Sequence, residues 1–411
     1  MLLNLVLRYV SWPFEVELDK LQNPKKSKPL ETIKDSANKT LRKAGKAKID
    51  EFYTQLNDVE KELKHFKNQF HGKIVYCNCD DPFESNFFKY FAANFNELKI
   101  KKLITTSFVK SPIVGQQLSL FDIEGLKPSG NGPFKIEIVE VPDFDNDGAI
   151  SLDDVEALLR NNKNIATPLR GDGDFRSDEC VELLKEADIV VTNPPFSLFR
   201  EFISQLEKFE KSYLVIGNTN SLTYKEIFRL IKEDRLRTGY TNFNVGMFFA
   251  VPDSWEQFHH IDESGKKIAR VSTACWFTNL EVLKHKEELV LYKRFDPEFY
   301  PKYENYDAIN VDRYIDIPND YDGAMGVPIT FVDKYNPDQF EILGLGISNS
   351  GLEIGVRPYT KEHKKYRKEI QKRGAVDGDL YMIKDGEVVV PYARILIRKK
   401  PLAMNRDNYE N

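Results

Sequence analysis

The residues most suited to chemistry are Asn193, Pro194, Pro195 and Phe196, which directly follow the apolar run Ile189 to Thr192. That run is typical of a buried strand. Proline has no N–H to give to a sheet and fixes its own φ angle, so the two prolines must end the strand. In an open parallel sheet, ligands bind outside the carboxyl ends of the strands, and we expect this tetrapeptide at such a position.

The four residue types suit methylation of an aromatic exocyclic amine. Such an amine is a poor nucleophile because its lone pair is delocalised into the ring. Two rigid acceptors that bind its N–H groups draw the lone pair out of conjugation with the ring. The Asn193 amide oxygen and the Pro194 carbonyl can be these acceptors, and Phe196 can stack on the base. The nitrogen then attacks a methyl sulfonium, whose sulfide leaves as a neutral group, and a base in a duplex must first be flipped out. The alternative is an ordinary strand-ending turn with a core phenylalanine.

The surrounding sequence alternates between strand and helix patterns, which favours a parallel α/β sheet. Upstream, "GKIVYCNCDD", "ESNFFKYFAANFNEL" and "IKKLITTSF" predict strand, helix and strand. Around the prolines, "DIVVT", "SLFREFISQLEKF" and "YLVIGN" repeat the order, and we expect "VGMFFAV" and "RVSTACWFTNL" to complete the same sheet.

Composition limits the function classes that need to be considered. The 411 residues suit one large α/β domain with a second region, or two domains. No apolar run is long enough for a membrane span and the first residues do not form a signal peptide, so we expect a cytoplasmic protein. The four cysteines form no CxxC pair, which favours buried free thiols over zinc or disulfides.

The chain resembles the EcoRI-type adenine-specific DNA methyltransferases. The similarity runs in order through "KAKIDEFYTQLNDVEKELKHF", "VYCNCDDPFESNFFKYF", "LITTSF", "GDGDFRSDECVELLKEADIVVTNPPFSLFREF", "IGNTN", "GYTNFNVGMFFAVP", "CWFTNLE" and "GAMGVPITFVDKYNPDQFEILGL". These strings cover most of residues 45 to 346.

The resemblance implies S-adenosyl-L-methionine as methyl donor and N6 of adenine in double-stranded DNA as acceptor. It implies a catalytic role for Asn193, Pro194, Pro195 and Phe196. Asp50 and Glu51 with Phe52, Tyr53 and Thr54 match the segment that lies against the methionine end of the cofactor. Asp174 and Phe175 match the pair that binds the adenine of the cofactor.

Two departures from the common methyltransferase pattern affect the cofactor site. No FxGxG follows the first strand, so Asn78, Asp80 and Asp81 are assigned to the cofactor by position alone. Their alternative is a capped turn that opens the next helix with Pro82 at its start. The acid that usually ends the second strand and holds the ribose is also missing, because "ITTSF" offers only hydroxyl groups.

The fold implied is a Rossmann-like, seven-stranded α/β methyltransferase domain with an α+β target-recognition region. We expect a basic N-terminal arm at 1–49, the methyltransferase domain at 50–283 with an insertion at about 110–176, and the DNA-binding region at 284–411. The predicted function is site-specific DNA adenine N6-methylation, for restriction-modification or as an orphan enzyme, by a monomer. The alternatives are amino-methylation of RNA or of protein glutamine, and a DNA-binding module without catalysis.

The segment "DFDNDGAISLDD" follows the pattern of a calcium-binding loop. Asp143, Asp145 and Asp147 alternate before Gly148, and Asp154 takes the last ligand position in place of glutamate. The alternative is that Asp154, together with the nearby serine, caps a helix.

The segment "QLSLF" resembles the short peptide by which bacterial proteins bind the replication sliding clamp. Gln117, Leu118, Leu120 and Phe121 carry this resemblance within the insertion. The alternative is an apolar anchor for a long loop.

The chain has a net charge of −5, but two of its segments are strongly basic. Residues 22–49 contain nine Lys or Arg and two acids, and a second run extends from Lys361 to Arg373. We expect both to contact DNA phosphates and to make DNA binding depend steeply on salt, although a charge run is also typical of a solvated face.

Overall fold

The structure is a computed structural model that describes residues 53–79, 81–108, 132–161, 165–251, 253 and 255–401. The predicted N-terminal arm, Phe52, Asp80 and the segment Gln117 to Phe121 lie outside the described residues.

The described residues form eighteen strands and eight α-helices. The strands are β1 Tyr53–Thr54, β2 Ile74–Cys77, β3 Lys102–Thr106, β4 Phe134–Ile138, β5 Ala166–Pro168, β6 Ile189–Thr192, β7 Ser212–Asn218, β8 Arg237–Thr238, β9 Met247–Val251, β10 His260–Ile261, β11 Lys267–Val271, β12 Ala274–Thr278, β13 Ile309–Asn310, β14 Met325–Pro328, β15 Phe340–Gly346, β16 Met382–Lys384, β17 Glu387–Val389 and β18 Arg394–Lys399. The helices are α1 Leu56–Leu63, α2 Asn86–Ala93, α3 Leu152–Asn161, α4 Asp178–Glu186, α5 Phe199–Lys208, α6 Lys225–Lys232, α7 Ser348–Glu353 and α8 Lys361–Glu369.

The central sheet has the strand order β5-β4-β3-β2-β6-β7-β12-β8. Strands β3, β2, β6 and β7 are parallel, as the repeated strand and helix patterns predict. The chain passes from β2 through α2 to β3 on one side and from β6 through α5 to β7 on the other. The strand order therefore reverses between β2 and β6, which is where an open α/β sheet forms its ligand crevice.

The predicted number of seven strands is wrong for this sheet, which has eight. Two of its strands, β4 and β5, lie in the predicted insertion. "FKIEI" alternates buried and half-buried residues as β4, which pairs antiparallel with β3, and β5 then extends the edge. Part of the predicted insertion therefore continues the central sheet.

The segment "VGMFFAV" does not complete the central sheet. As β9 it joins a second, four-stranded sheet of order β1-β9-β11-β10. "RVSTACWFTNL" is divided between the sheets, because its first residues end β11 and "ACWFT" forms β12, antiparallel to β7. A turn separates the two strands, and the strand pattern alone does not show it.

The C-terminal part contains a third sheet of order β13-β14-β18-β15 and the hairpin β16–β17. Its apolar side chains continue the core of the central sheet. Val327 and Ile395 belong to the same buried cluster as Val190, Phe202 and Val215. No described helix combines the length and the apolarity needed to cross a membrane.

Candidate active site

The carboxyl ends of β2 and β6 meet at the reversal of strand order. The Thr192 hydroxyl, at the end of β6, donates a hydrogen bond to the Asn78 carbonyl, which follows β2. Asn78 and Asn193 are each 4% exposed. Two predicted site segments from distant parts of the chain therefore lie side by side.

The tetrapeptide ends β6 as its prolines predict. Asn193, Pro194 and Pro195 are buried, whereas Phe196 is partly exposed. A short 3-10 turn, Phe196–Leu198, follows and is closed by a 3.0 Å hydrogen bond from the Leu198 amide to the Pro195 carbonyl. Helix α5 continues from it and buries Phe199, Phe202, Ile203 and Leu206 against the sheet. Both ends of the tetrapeptide are thus fixed by packed elements.

Phe249 links the tetrapeptide to the predicted cofactor segment. Its ring packs against Phe196 at 6.4 Å between centroids, with the planes at 84°. In the register of β1 and β9, Thr54 lies opposite Phe249 and Tyr53 opposite Ala250. The structure therefore places Thr54 on the side of the second sheet that faces the tetrapeptide, whereas Tyr53 lies on the opposite face with Ala250 and Ile268.

Thr54 is a candidate ligand-binding residue by its own environment. It is 2% exposed, and its hydroxyl has no hydrogen-bond partner among the described residues. Its carbonyl accepts a 2.7 Å hydrogen bond from Asn86, which fixes the backbone. A buried hydroxyl without a partner is unfavourable unless another polar group reaches it, so the position fits a bound ligand.

The loop after β2 is a turn that leads into a capped helix, as the alternative to cofactor binding predicts, but the helix begins at Asn86 and not at Pro82. The Asp81 carboxylate accepts a 2.9 Å hydrogen bond from the Phe83 amide, and its carbonyl accepts from the amides of Glu84 and Ser85. Ser85 then caps α2 through the Phe87 amide. Asp81 is 3% exposed, and these contacts belong to the turn. The assignment of Asn78 and Asp81 to the cofactor stays a prediction.

Asp174 and Phe175 lie together, and Arg176 covers both. The guanidinium donates to the two Asp174 carboxylate oxygens at 2.8 and 2.6 Å, and its carbon lies 5.2 Å from the centroid of the Phe175 ring. Phe175 is 6% exposed and packs edge-on against Phe202. The hydrogen bonds to Asp174 raise the pKa of Arg176. The two groups predicted to hold the adenine of the cofactor are thus engaged by a neighbouring cation.

The loop that carries this pair is seated against the end of β3. Gly173 has φ +79°, and a Cβ atom there would lie 1.9 Å from the Ser107 carbonyl oxygen. Only glycine allows this approach. The hydroxyl groups at the end of β3 are used within the fold, because Thr106 lies 3.1 Å from the Tyr76 hydroxyl and Ser107 accepts from the Phe134 amide.

The acidic segment at 143–154 divides into two parts. Ligand atoms of Asp143, Asp145 and Asp147 lie within 4.8 Å of one another, as a calcium loop requires. The Asp154 carboxylate instead accepts from the amides of Phe144 and Ser151, and it is not part of the cluster. The capping alternative therefore describes Asp154, whereas calcium binding by the other three acids stays a prediction.

Sequence reasoning missed three residues that contact the predicted site segments or the loop that leads into β9. Phe249 was visible only as part of a strand pattern, and Arg176 was passed over although it directly follows the acidic-aromatic pair. Glu62 carried no signal, since one acid on an amphipathic helix is ordinary. In the structure it is 0% exposed and accepts hydrogen bonds from the amides of Tyr240 and Thr241.

Comparison with known proteins supports the resemblance described above. Residues 40–400 match the family described as adenine-specific methyltransferase EcoRI. The chain is 44% identical over 336 residues to the type II methyltransferase M.EcoRI of Escherichia coli, covering 79% of this chain and 96% of the relative.

Two mycoplasma proteins are also similar. M.MgeORF184P of Mycoplasma genitalium is 38% identical over 309 residues, and M.MpnI of Mycoplasma pneumoniae is 35% identical over 308 residues. Both are named type II methyltransferases, and each alignment covers 73% of this chain and 84% of the relative. No solved structure matches the chain. The match over most of the chain confirms the resemblance: this protein is a member of the EcoRI family of adenine-specific methyltransferases.

Proposed function

We propose that the chain is a site-specific DNA methyltransferase that transfers the methyl group of S-adenosylmethionine to N6 of a flipped-out adenine in duplex DNA. The observation that carries the proposal is the position of Asn193 to Phe196. The tetrapeptide is fixed at the carboxyl end of β6, beside the reversal of strand order where α/β sheets bind their ligands.

The chain's own residues prepare the amine for attack. The Asn193 side chain is buried at the end of β6, and the two prolines hold its backbone and the Pro194 carbonyl in place. Two fixed oxygen acceptors suit the two N–H groups of an adenine amine, and they favour the tetrahedral nitrogen that forms as the methyl group is transferred. Because the acceptors are placed before the reaction, they need little reorganisation. Phe196, oriented by Phe249, offers an aromatic ring to the base.

The residues of the crevice fit the cofactor in part. When bound, S-adenosylmethionine supplies an electrophilic methyl group on a sulfonium. The buried Thr54 hydroxyl suits a polar group at the methionine end, and Tyr53, on the other face of β1, packs against Ala250 and Ile268. Asp174 and Phe175 suit the adenine end once Arg176 has moved, and Glu201, 3.3 Å from the guanidinium, offers this cation another partner.

An acceptor competition tests the proposal against its alternatives. Purified full-length protein is incubated with methyl-labelled cofactor and unmethylated plasmid, total RNA or a denatured protein mixture. We expect label in DNA alone. Label in RNA or protein alone would establish amino-methylation of another acceptor, and cofactor binding without transfer to any of the three would contradict the proposed reaction.

A further inference from the structure

A basic appendage, residues 357–390, is inserted between β15 and β18 of the C-terminal sheet. It consists of α8 and the hairpin β16–β17, with a small core of its own in which Tyr359, Tyr381 and Val388 are buried. The rings of Tyr359 and Tyr381 stack at 4.2 Å between centroids. The appendage is therefore an ordered unit, although none of the residues of α8 is buried.

Two of its cations serve the fold. Lys364 forms a 2.7 Å ion pair with Asp377, and Arg367 donates to the Gly374 carbonyl and to the Gln371 side chain. These contacts fasten α8 to the turn that follows it. Both cations are thus accounted for by structural roles.

Three other cations have no such role. Lys368, Lys372 and Arg373 form no ion pair with any carboxylate in the described part of the chain. Together with Lys364 they surround a shallow groove of about 570 Å³, which Gly374 and Ala375 complete. The carboxyl end of α8 carries a partial negative charge of roughly half a unit, which is too small to balance three full positive charges.

Such a groove matches a phosphate-bearing partner. Clustered cations in a concave surface raise the local concentration of anions, and unpaired like charges repel one another when nothing binds between them. Lysine offers point charges and arginine a planar fork, and phosphate oxygens accept hydrogen bonds from both. The chain as a whole carries a net charge of −5, so this local excess is not a general property of its surface.

We propose that Lys368, Lys372 and Arg373, in the groove beside the Lys364–Asp377 ion pair, bind the phosphodiester backbone of duplex DNA, and that they position the duplex without reading its sequence. The inference rests on the proposed function only for the choice of DNA as the partner. Within the basic run predicted from the sequence, it separates Lys364 and Arg367, which stabilise the fold, from Lys368, Lys372 and Arg373, which bind the ligand.

The test compares two triple variants of the full chain. The first carries Lys368→Gln, Lys372→Gln and Arg373→Gln, and it keeps the structural Lys364 and Arg367. The control carries Lys67→Gln, Lys185→Gln and Lys286→Gln, which removes the same charge from exposed lysines that pair with glutamates elsewhere. Binding to cognate and unrelated duplexes is measured by fluorescence anisotropy between about 50 and 300 mM salt.

We expect the groove variant to bind every duplex at least about tenfold more weakly. The slope of log affinity against log salt should shrink by about 2 to 3, because each phosphate that a cation neutralises contributes roughly 0.9 to it. The control should keep the slope of the unchanged protein. Equal slopes in the two variants would overturn the inference. The basic groove would then be a solvated face or a binding site for an acidic partner protein. A weakening restricted to one DNA sequence would contradict a role in positioning alone.

Two further measurements keep the result interpretable. Unchanged circular dichroism and unchanged binding of S-adenosylhomocysteine show that the groove variant is folded. Methyl transfer is measured separately at low salt with saturating DNA, where the variant should reach the rate of the unchanged protein. If the groove variant shows the reduced slope but the unchanged protein transfers no methyl group, the proposed reaction fails and the groove is still supported.

Discussion

At the scale of single residues, the site depends on groups that are held before any ligand arrives. Asn193 and Thr54 are buried polar residues at the crevice, and each lies beside a packed aromatic or proline residue. Burial of a polar group is unfavourable unless a partner satisfies it, and the Thr54 hydroxyl has no hydrogen-bond partner among the described residues. Thr54 is therefore not a residue that stability alone would favour at this position.

Arg176 gives a prediction at this scale. Its guanidinium contacts both Asp174 oxygens and lies by the Phe175 ring, so under the proposed assignment of these two residues it competes with the adenine of the cofactor. We expect Arg176→Gln to bind S-adenosylhomocysteine more tightly and Asp174→Asn to bind it more weakly, in calorimetric titrations. The ion pair is partly exposed, and its removal should lower the free energy of unfolding by about 1 kcal/mol or less.

The reverse order of affinities would contradict this competition. If Arg176→Gln bound the cofactor analogue more weakly, the guanidinium would be a binding group in its own right. Arg170→Gln is a suitable control, since Arg170 is exposed on the same loop and lies 3.9 Å from Glu179.

At the scale of elements, buried carboxylates on α1 hold the loop at 239–246 that leads into β9. Glu62 accepts from the Tyr240 and Thr241 amides at 2.6 and 2.7 Å and from the Thr241 hydroxyl at 2.6 Å. Asp58 accepts from Asn242 and from the Phe248 amide, each at 3.3 Å. Because Phe249 on β9 orients Phe196, this loop affects the site through the strand that follows it.

Removal of the Glu62 carboxylate should therefore reduce both stability and activity. We expect Glu62→Ala to lower the free energy of unfolding by about 2 to 4 kcal/mol, because the buried amides are left without their acceptor. The exposed Glu60→Ala on the same helix should change it by no more than about 0.5 kcal/mol. Urea denaturation compares the two variants, and equal midpoints would refute the role of Glu62.

The sequence predicted most of the elements around the site, because their patterns are local. The paired prolines end β6 wherever the strand lies, and the periodic apolar residues of α5 face the sheet as expected. Pairings between distant segments were not predictable in the same way. Whether "VGMFFAV" joins the central sheet or β1 depends on a turn and a partner that no local pattern specifies.

The same limit explains the site residues. Asn78 and Thr192 are neighbours because of the topology that the motifs imply, so this contact was predictable from the sequence. The ion pair between Arg176 and Asp174 depends on side-chain conformations. The hydrogen bonds of Glu62 depend on long-range packing, because they reach a loop 178 positions away. Such contacts produce no periodic pattern in the sequence.

At the scale of the whole molecule, His285 lies at a junction between the central sheet and the C-terminal region. Its ring nitrogens lie 2.9 Å from the Tyr335 carbonyl and 3.1 Å from the Thr238 carbonyl. Lys284 and Asp333 form a 2.5 Å ion pair beside it. Burial lowers the pKa of His285, and the Lys284 charge lowers it further, against the raising effect of the two carbonyls and of Asp333.

A lowered pKa makes this junction sensitive to acid. In the unfolded chain His285 takes up a proton near pH 6.5, the ordinary pKa of histidine. In the folded chain it takes up a proton only at a lower pH. The contribution of His285 to stability is therefore present above about pH 6.5 and declines as the pH falls through the folded pKa. We expect the melting temperature of His285→Gln to fall less steeply in this range than that of the unchanged protein.

The exposed His71→Gln serves as the control for this prediction, and it should keep the original pH profile. Parallel melting curves for the unchanged protein and His285→Gln from about pH 7.5 to 5 would contradict the lowered pKa.

The central claim is that the buried Asn193 enables methyl transfer to adenine N6, and nucleoside mass spectrometry tests it most directly. Unmethylated plasmid is incubated with S-adenosylmethionine and the protein, Asn193→Ala or the exposed Asn57→Ala, and then digested to nucleosides. We predict N6-methyladenine from the unchanged protein and Asn57→Ala, and a rate at least about 10²-fold lower for Asn193→Ala with cofactor binding retained. N6-methyladenine formed at an unchanged rate by Asn193→Ala, or absent from all three digests, would contradict the account.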